Sequence, residues 1–129
     1  MTHPDLPPLS ILLVDDHRDG GDSTAELLRL LGYEVRLART GAEALDLVGS
    51  FAPDVAILDI GLPDGDGYEL AGKLVAALVR RPLLIALTGF GNFDDRSRAA
   101  GFDHHLLKPA DPPVLAALLV SCAAARRAG

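Results

Sequence analysis

The sequence predicts a doubly wound α/β domain, with five parallel strands in one sheet and helices on both faces. Three observations carry this. The apolar runs Ile11-Leu12-Leu13-Val14, Val55-Ala56-Ile57-Leu58 and Leu83-Leu84-Ile85-Ala86-Leu87 have the length and composition of parallel strands covered on both faces. Two poorer segments, "YEVRLAR" at 33–39 and "DHHLLK" at 103–108, alternate polar with apolar or are only half apolar, which suits sheet edges. Amphipathic stretches with helix-start signals separate these runs, and alternating β and α segments argue a parallel sheet.

In chain order, strands are expected near 10–15, 33–38, 54–59, 83–88 and 104–107, each preceding a helix. The first helix has a weak opening, because Gly20 and Gly21 fall in its first turn and interior Gly costs about 1 kcal/mol relative to Ala. It is expected to start late, at Asp22 or Ser23, leaving a frayed turn or a mobile flap beside Asp15 and Asp16. Thr40-Gly41-Ala42-Glu43 is a capping box for the second helix, and Asp66-Gly67-Tyr68-Glu69 is an Asp version for the third. Asn92 caps a fourth helix whose first turn carries Asp94 and Asp95, favourable against the helix dipole. Asp111 precedes Pro112 at the first position of the last helix. With the second and fifth strands at the edges, the strand order is 2-1-3-4-5.

A chain of 129 residues, 49% hydrophobic, suits one compact domain with a real core. Residues 1–9, with Pro4, Pro7 and Pro8, read as a flexible lead-in, 10–125 as the domain and 126–129 as a short tail. A net charge of −6 argues against a sequence-independent grip on nucleic acid and against a polybasic membrane contact. The N-terminus has no apolar signal core, and no apolar run reaches the roughly 18 residues of a spanning helix. The lone Cys122 allows no internal disulfide, which fits a reducing compartment, so a cytoplasmic domain is expected.

The polar residues at the strand C-termini form a constellation. The first strand ends in Asp15-Asp16, the third in Asp59, the fourth in Thr88-Gly89 and the fifth in Lys108-Pro109. In such a sheet these ends share one edge, and ligands bind where the strand order reverses, here between strands 1 and 3. Three carboxylates in one pocket repel, by about 4 kcal/mol for two unit charges 4 Å apart at an effective dielectric of 20. Either one protonates or a cation sits among them. An all-oxygen set without soft-ligand spacing suits Mg²⁺ best. Lys108 adds an ammonium and Thr88 a hydroxyl, which points to phosphoryl chemistry with Asp59 as the nucleophile.

The motifs "LLVDDH", "VAILDIGLPDGDGYEL", "ALTG" and "GFDHHLLKPAD" occur in this order across residues 9–125. With them the chain resembles a response-regulator receiver domain of two-component signalling, a (βα)5 fold of the flavodoxin-like order 2-1-3-4-5. That order is known for the family, so its match here is not an independent derivation. "GFDHHLLKPAD" is similar to receivers attached to hybrid sensor kinases. The resemblance implies a phosphoacceptor at Asp59, metal ligation by Asp15, Asp16 and Asp59 with the backbone carbonyl of Gly61, and phosphoryl contacts from Thr88 and Lys108. It further implies Mg²⁺ as cofactor and a phosphohistidine donor on a sensor histidine kinase or histidine phosphotransfer domain. Thr88 would then act as a switch that biases the face of the fourth helix, fifth strand and last helix. Such a domain catalyses its own phosphorylation and dephosphorylation only, and is not a turnover enzyme. It is expected to stand alone, or to belong to a hybrid kinase or longer regulator. A cis Lys108-Pro109 bond also rests on the resemblance.

Each residue also has a plainer reading. Asp15 and Asp16 serve as helix caps, Asp59 as a turn residue, Thr88 as a strand end and Lys108 as a surface cation. Asp64 and Asp66, spaced among glycines, read as turn and cap residues and not as ligands. His17 reads as a surface residue near the pocket. His104 and His105 point to opposite faces of a strand and cannot chelate as a pair. His105 stands where the family carries an aromatic switch residue, and an imidazole there is polar and can charge near neutral pH. Gly61 and Phe90 stand two residues past Asp59 and Thr88, positions that tune phosphate lifetime in the family; slow self-dephosphorylation is expected.

In the last helix, Val114, Leu115, Leu118, Leu119 and Cys122 are expected to face the sheet. No residue from Pro112 to Ala125 is charged, so the opposite side is either a plain Ala-rich surface or a contact for a homodimer or downstream partner. Two rival functions stay in view. A Mg²⁺-dependent aspartyl-phosphate phosphatase usually has a second Asp two residues past the nucleophile, where this chain has Gly61. A flavodoxin-like electron carrier needs a Ser/Thr/Gly-rich loop where this chain has Asp15-Asp16-His17-Arg18.

Overall fold

A computed structural model describes residues 9–62, 65–89, 101–108 and 110–128. Five strands, β1 (Ser10–Val14), β2 (Glu34–Ala38), β3 (Val55–Asp59), β4 (Leu83–Thr88) and β5 (His104–Leu107), pair in parallel in the order 2-1-3-4-5. The helices among the described residues are α1 (Arg18–Leu30), α2 (Gly41–Leu47), α3 (Gly67–Ala77) and a C-terminal helix, Pro112–Ala128. A two-residue antiparallel pair, Gly61–Leu62 with Gly65–Asp66, lies between β3 and α3. The expected fourth helix with its Asn92 cap, Asp94 and Asp95 lies outside the described residues.

The continuous apolar runs are explained by two cores. Ile11, Leu13, Ile57, Ile85 and Leu87 point to one face, where Ala25 and Leu28 of α1 and Leu115, Leu119 and Cys122 of the C-terminal helix cover them. Leu12, Val14, Leu58, Leu84 and Ala86 point to the other, under Ala44 of α2 and Leu70, Ala71 and Leu74 of α3. A strand buried on both sides has no polar face to alternate with. The helix starts follow their signals in part. Thr40 Oγ1 accepts from the Glu43 N–H at 3.1 Å, while Glu43 Oε2 accepts from the Arg39 N–H at 2.5 Å, closing the cap one residue earlier than a strict box. The Asp111 carbonyl accepts from the Leu115 N–H at 2.9 Å, the first bond of a helix that opens on Pro112.

Four local expectations change. The first helix does not start at Asp22 or Ser23; it starts at Arg18 and runs through both glycines. Gly21 is buried there, and a Cβ on it would lie 3.0 Å from Arg39 Nη1 and 3.4 Å from the Asp15 carbonyl oxygen. Close packing on β1 uses the absent side chain, and Arg39 holds the first turn through the His17 and Arg18 carbonyls, each at 3.3 Å. Leu9, assigned to the lead-in, is a core residue whose carbonyl accepts from the Glu34 N–H. At the other end the helix continues past Ala125, with Arg126 bonded to Asp54 Oδ1 at 3.1 Å and to the Arg81 carbonyl at 2.7 Å. Val114 does not face the sheet: it is 51% exposed, because Leu115 and Leu119 already fill the stripe.

Gly67 opens α3 directly behind Asp59. A Cβ there would stand 2.7 Å from the Asp59 carbonyl oxygen and 2.9 Å from Ile60 Cα, both backbone atoms that cannot rotate away. Gly67→Ala is expected to cost about 1–3 kcal/mol by overpacking. Urea denaturation tests this, and an unchanged midpoint rejects it.

Candidate functional site

The β1–β3 register pairs Val14 with Leu58, so the next residues, Asp15 and Asp59, emerge side by side at the C-terminal rim. Both are buried, at 3% and 4% exposure, as the only such acids in the described core. The Asp15 amide still bonds the Ala38 carbonyl at 3.0 Å, which fixes its backbone as an extension of the sheet. On the other side, Asp59 pairs with Leu87 and Thr88 with Leu107, and the Lys108 N–H donates to the Thr88 carbonyl at 2.8 Å. β5 thereby delivers Lys108 to the same rim. Its Nζ lies 2.6 Å from Asp59 Oδ2 and 3.6 Å from Asp15 Oδ1.

Burial pushes the Asp59 carboxyl up, but the Lys108 ammonium, the Gly61 N–H and the neighbouring Asp16 outweigh it and hold the group below its ordinary value. The Gly61 N–H donates to Asp59 Oδ1 at 2.9 Å. Asp59 is therefore an ionised, oriented carboxylate with one oxygen on an amide and the other on an ammonium.

His17 is the residue that sequence reasoning undervalued. Its N–H donates to Asp15 Oδ1 at 2.9 Å, a local turn that brings the ring back over the acids. Nδ1 then lies 3.2 Å from Asp15 Oδ1, 3.4 Å from Asp16 Oδ1 and 3.6 Å from Asp59 Oδ2, and 3.0 Å from Lys108 Nζ. The signal in the sequence was its place directly after the acid pair. Arg39, which ties β2 to the start of α1 and pairs with Asp22 at 2.5 Å, had no sequence signal, since the contact spans 17 residues.

The acids and His17 form one group whose ligand atoms all lie within 4.8 Å of one another. Asp16 Oδ1 is buried and accepts no hydrogen bond among the described residues. A buried oxygen without a hydrogen bond is costly, and a hard divalent cation would meet that need. The donor set fits such an ion. Beside it opens a cavity of about 900 Å³, lined by Asp15, His17, Lys108, Leu87 and Leu27 among others.

Asp15, Asp16, Asp59 and Lys108 are thus brought together. Thr88 ends β4 next to them, Gly61 contributes its amide, and His105 is half-buried on β5 opposite Ala86. Phe90, Asp64, Pro109 and the Asp66 side chain lie outside what is described.

The family described as "Response regulator receiver domain" matches residues 11–120. The chain belongs to that family. A receiver assignment agrees with the relatives it resembles. "Response regulator MprA" of Mycolicibacterium vanbaalenii is 39% identical over 104 residues, covering 79% of this chain but 45% of that protein. An uncharacterised 14.6 kDa protein of Leptolyngbya boryana is 37% identical over 111 residues, 83% of this chain and 84% of the relative. Among solved structures, a CheY-like receiver domain protein from Methanospirillum hungatei superposes with a TM-score of 0.82 at 32% identity, covering 95% of this chain and 99% of the other. The chain spans less than half the length of MprA. No helix among the described residues is long and apolar enough to cross a membrane.

Proposed function

We propose that this receiver domain takes a phosphoryl group from a phosphohistidine onto Asp59, the donor being a sensor histidine kinase or a histidine phosphotransfer domain. One observation supports this above the others: Asp59 is buried, ionised, and held with Oδ2 on Lys108 Nζ at 2.6 Å beside two further acids. An Asp59 oxygen forms a bond to phosphorus as the phosphorus–nitrogen bond of the donor breaks, and the imidazole leaves with the electron pair. Lys108 shifts from the carboxylate to the incoming phosphoryl oxygens, and the Thr88 hydroxyl donates to one of them. The Gly61 amide keeps the acceptor carboxylate oriented while this happens. Asp15, Asp16 and Asp59, with the Gly61 carbonyl, would hold Mg²⁺, which when bound neutralises phosphoryl charge.

The product carries roughly −1.5 to −2 charges if it resembles other phosphoresidues. That charge attracts Thr88 and Lys108, and both are tied to the β4 and β5 ends, so the signal leaves through the β5 edge and the C-terminal helix. Leu107, Val114 and Val120 are exposed in this region, at 51%, 51% and 61%. A homodimer or a downstream partner there is the reading they support. Ala117→Asp is expected to lower assembly mass in light scattering, and an unchanged mass removes the homodimer.

The test of the acceptor role is incubation with acetyl phosphate and Mg²⁺, followed by intact mass. A single phosphoryl adduct is expected, absent when the divalent ion is chelated. Sustained release of phosphate from an ester, without a persisting adduct, would favour the phosphatase reading instead.

A further inference from the structure

We propose that His17 Nδ1 is a further protein ligand at this centre, making it a mixed nitrogen–oxygen site that takes borderline first-row cations such as Co²⁺ more tightly than its carboxylates alone would. This rests on reading the acid cluster as a metal centre and goes beyond it by adding a donor of different chemistry.

The argument is geometric. Ligands at about 2.1 Å from an octahedral ion stand about 3.0 Å apart along each edge. Nδ1 lies 3.2, 3.4 and 3.6 Å from oxygens of three different acids, Asp15, Asp16 and Asp59. Those spacings are the edges of a slightly expanded coordination shell. Hydrogen bonding accounts for at most one of them, the 3.2 Å contact with Asp15 Oδ1. Nδ1 carries at most one hydrogen and so satisfies one acid at most. If it instead accepts from Lys108 Nζ at 3.0 Å, it donates to none of the three acids. A cation at the shared centre relieves both arrangements.

The ring is held there by the chain. His17 is the residue that caps α1, its backbone N–H is bonded to Asp15 Oδ1, and its carbonyl is bonded by Arg39. The side chain remains 66% exposed, so it has room to turn onto an ion without disturbing the core. Imidazole adds little affinity for Mg²⁺, which prefers oxygen, and much more for Co²⁺, Ni²⁺ or Zn²⁺. The carboxylates therefore set whether a divalent ion binds, and His17 sets which one.

Calorimetric titration of the parent and of His17→Ala with Mg²⁺ and with Co²⁺ tests this, with Asp16→Asn/Asp59→Asn as the blank for binding at His3, His104 or His105. The expected result is a loss of about tenfold or more in Co²⁺ affinity on His17→Ala, with Mg²⁺ changed less than about threefold. The visible spectrum of bound Co²⁺ is expected to shift between parent and variant. Equal Co²⁺ affinity and spectra in both, with Mg²⁺ bound by both, overturns the His17 assignment and leaves the metal centre standing. No blank-corrected binding of either ion by the parent overturns the metal centre itself, and the proposal with it.

Discussion

Asp59→Asn is expected to abolish the phosphoryl adduct while leaving the domain folded. The amide is nearly isosteric with the carboxylate, so the packing under β3 is kept. Its oxygen is a far weaker nucleophile and carries no charge for Lys108 to orient. The nearest remaining acid to Lys108 is Asp15, at 3.6 Å, and its Oδ1 is already committed to the His17 N–H. Neither Asp15 nor Asp16 has the 2.6 Å ammonium contact that orients Asp59, so neither is expected to accept in its place. Intact mass after acetyl phosphate and Mg²⁺ gives the answer. An adduct of undiminished yield on Asp59→Asn would move the acceptor to another residue and sink the reading of this site.

Lys108→Ala is expected to lower stability by about 2 kcal/mol in the absence of divalent ions. Removing one partner of a buried pair costs about 3–5 kcal/mol, because the other charge is left uncompensated. Here the lysine side chain is 22% exposed and the cavity admits water, so solvent screens part of the loss. What remains is a buried Asp59 beside Asp15 and Asp16 with no ammonium, and a melting temperature lower by roughly 5–10 °C. A ligand at 100 times its dissociation constant adds about 2.7 kcal/mol to the folded state. Saturating Mg²⁺ is thus large enough to offset the loss, and the gap between parent and variant is expected to narrow when it is added. Thermal melts with and without Mg²⁺ measure this. A gap that ignores Mg²⁺ means that Lys108 acts through packing and not through charge.

The core strands were legible because burial on both faces demands continuous apolar runs, and Ile11–Val14, Val55–Leu58 and Leu83–Leu87 are such runs. The edge strands were legible for the opposite reason, since their alternation or half-apolar character records one poorer side. Helix propensity misled at α1. Gly20 and Gly21 argued for a late start, but a buried glycine against Asp15 and an arginine just past the next strand outweighed a local cost of about 1 kcal/mol per residue. Val114 misled similarly: periodicity marks a stripe wider than the sheet can cover, and Leu115 with Leu119 took the place.

By itself the amino-acid sequence determined the order of strands and helices, and with it the rim to which Asp15, Asp16, Asp59 and Lys108 are delivered, because strand polarity and crossover connections leave few other arrangements. Only the tertiary structure decided how those side chains meet: the 2.6 Å contact of Lys108 with Asp59, the orphaned Asp16 oxygen and the His17 ring over three acids. Periodicity and propensity act over a few neighbouring residues. A contact across 49 or 91 positions is set by register and packing, which no local pattern encodes.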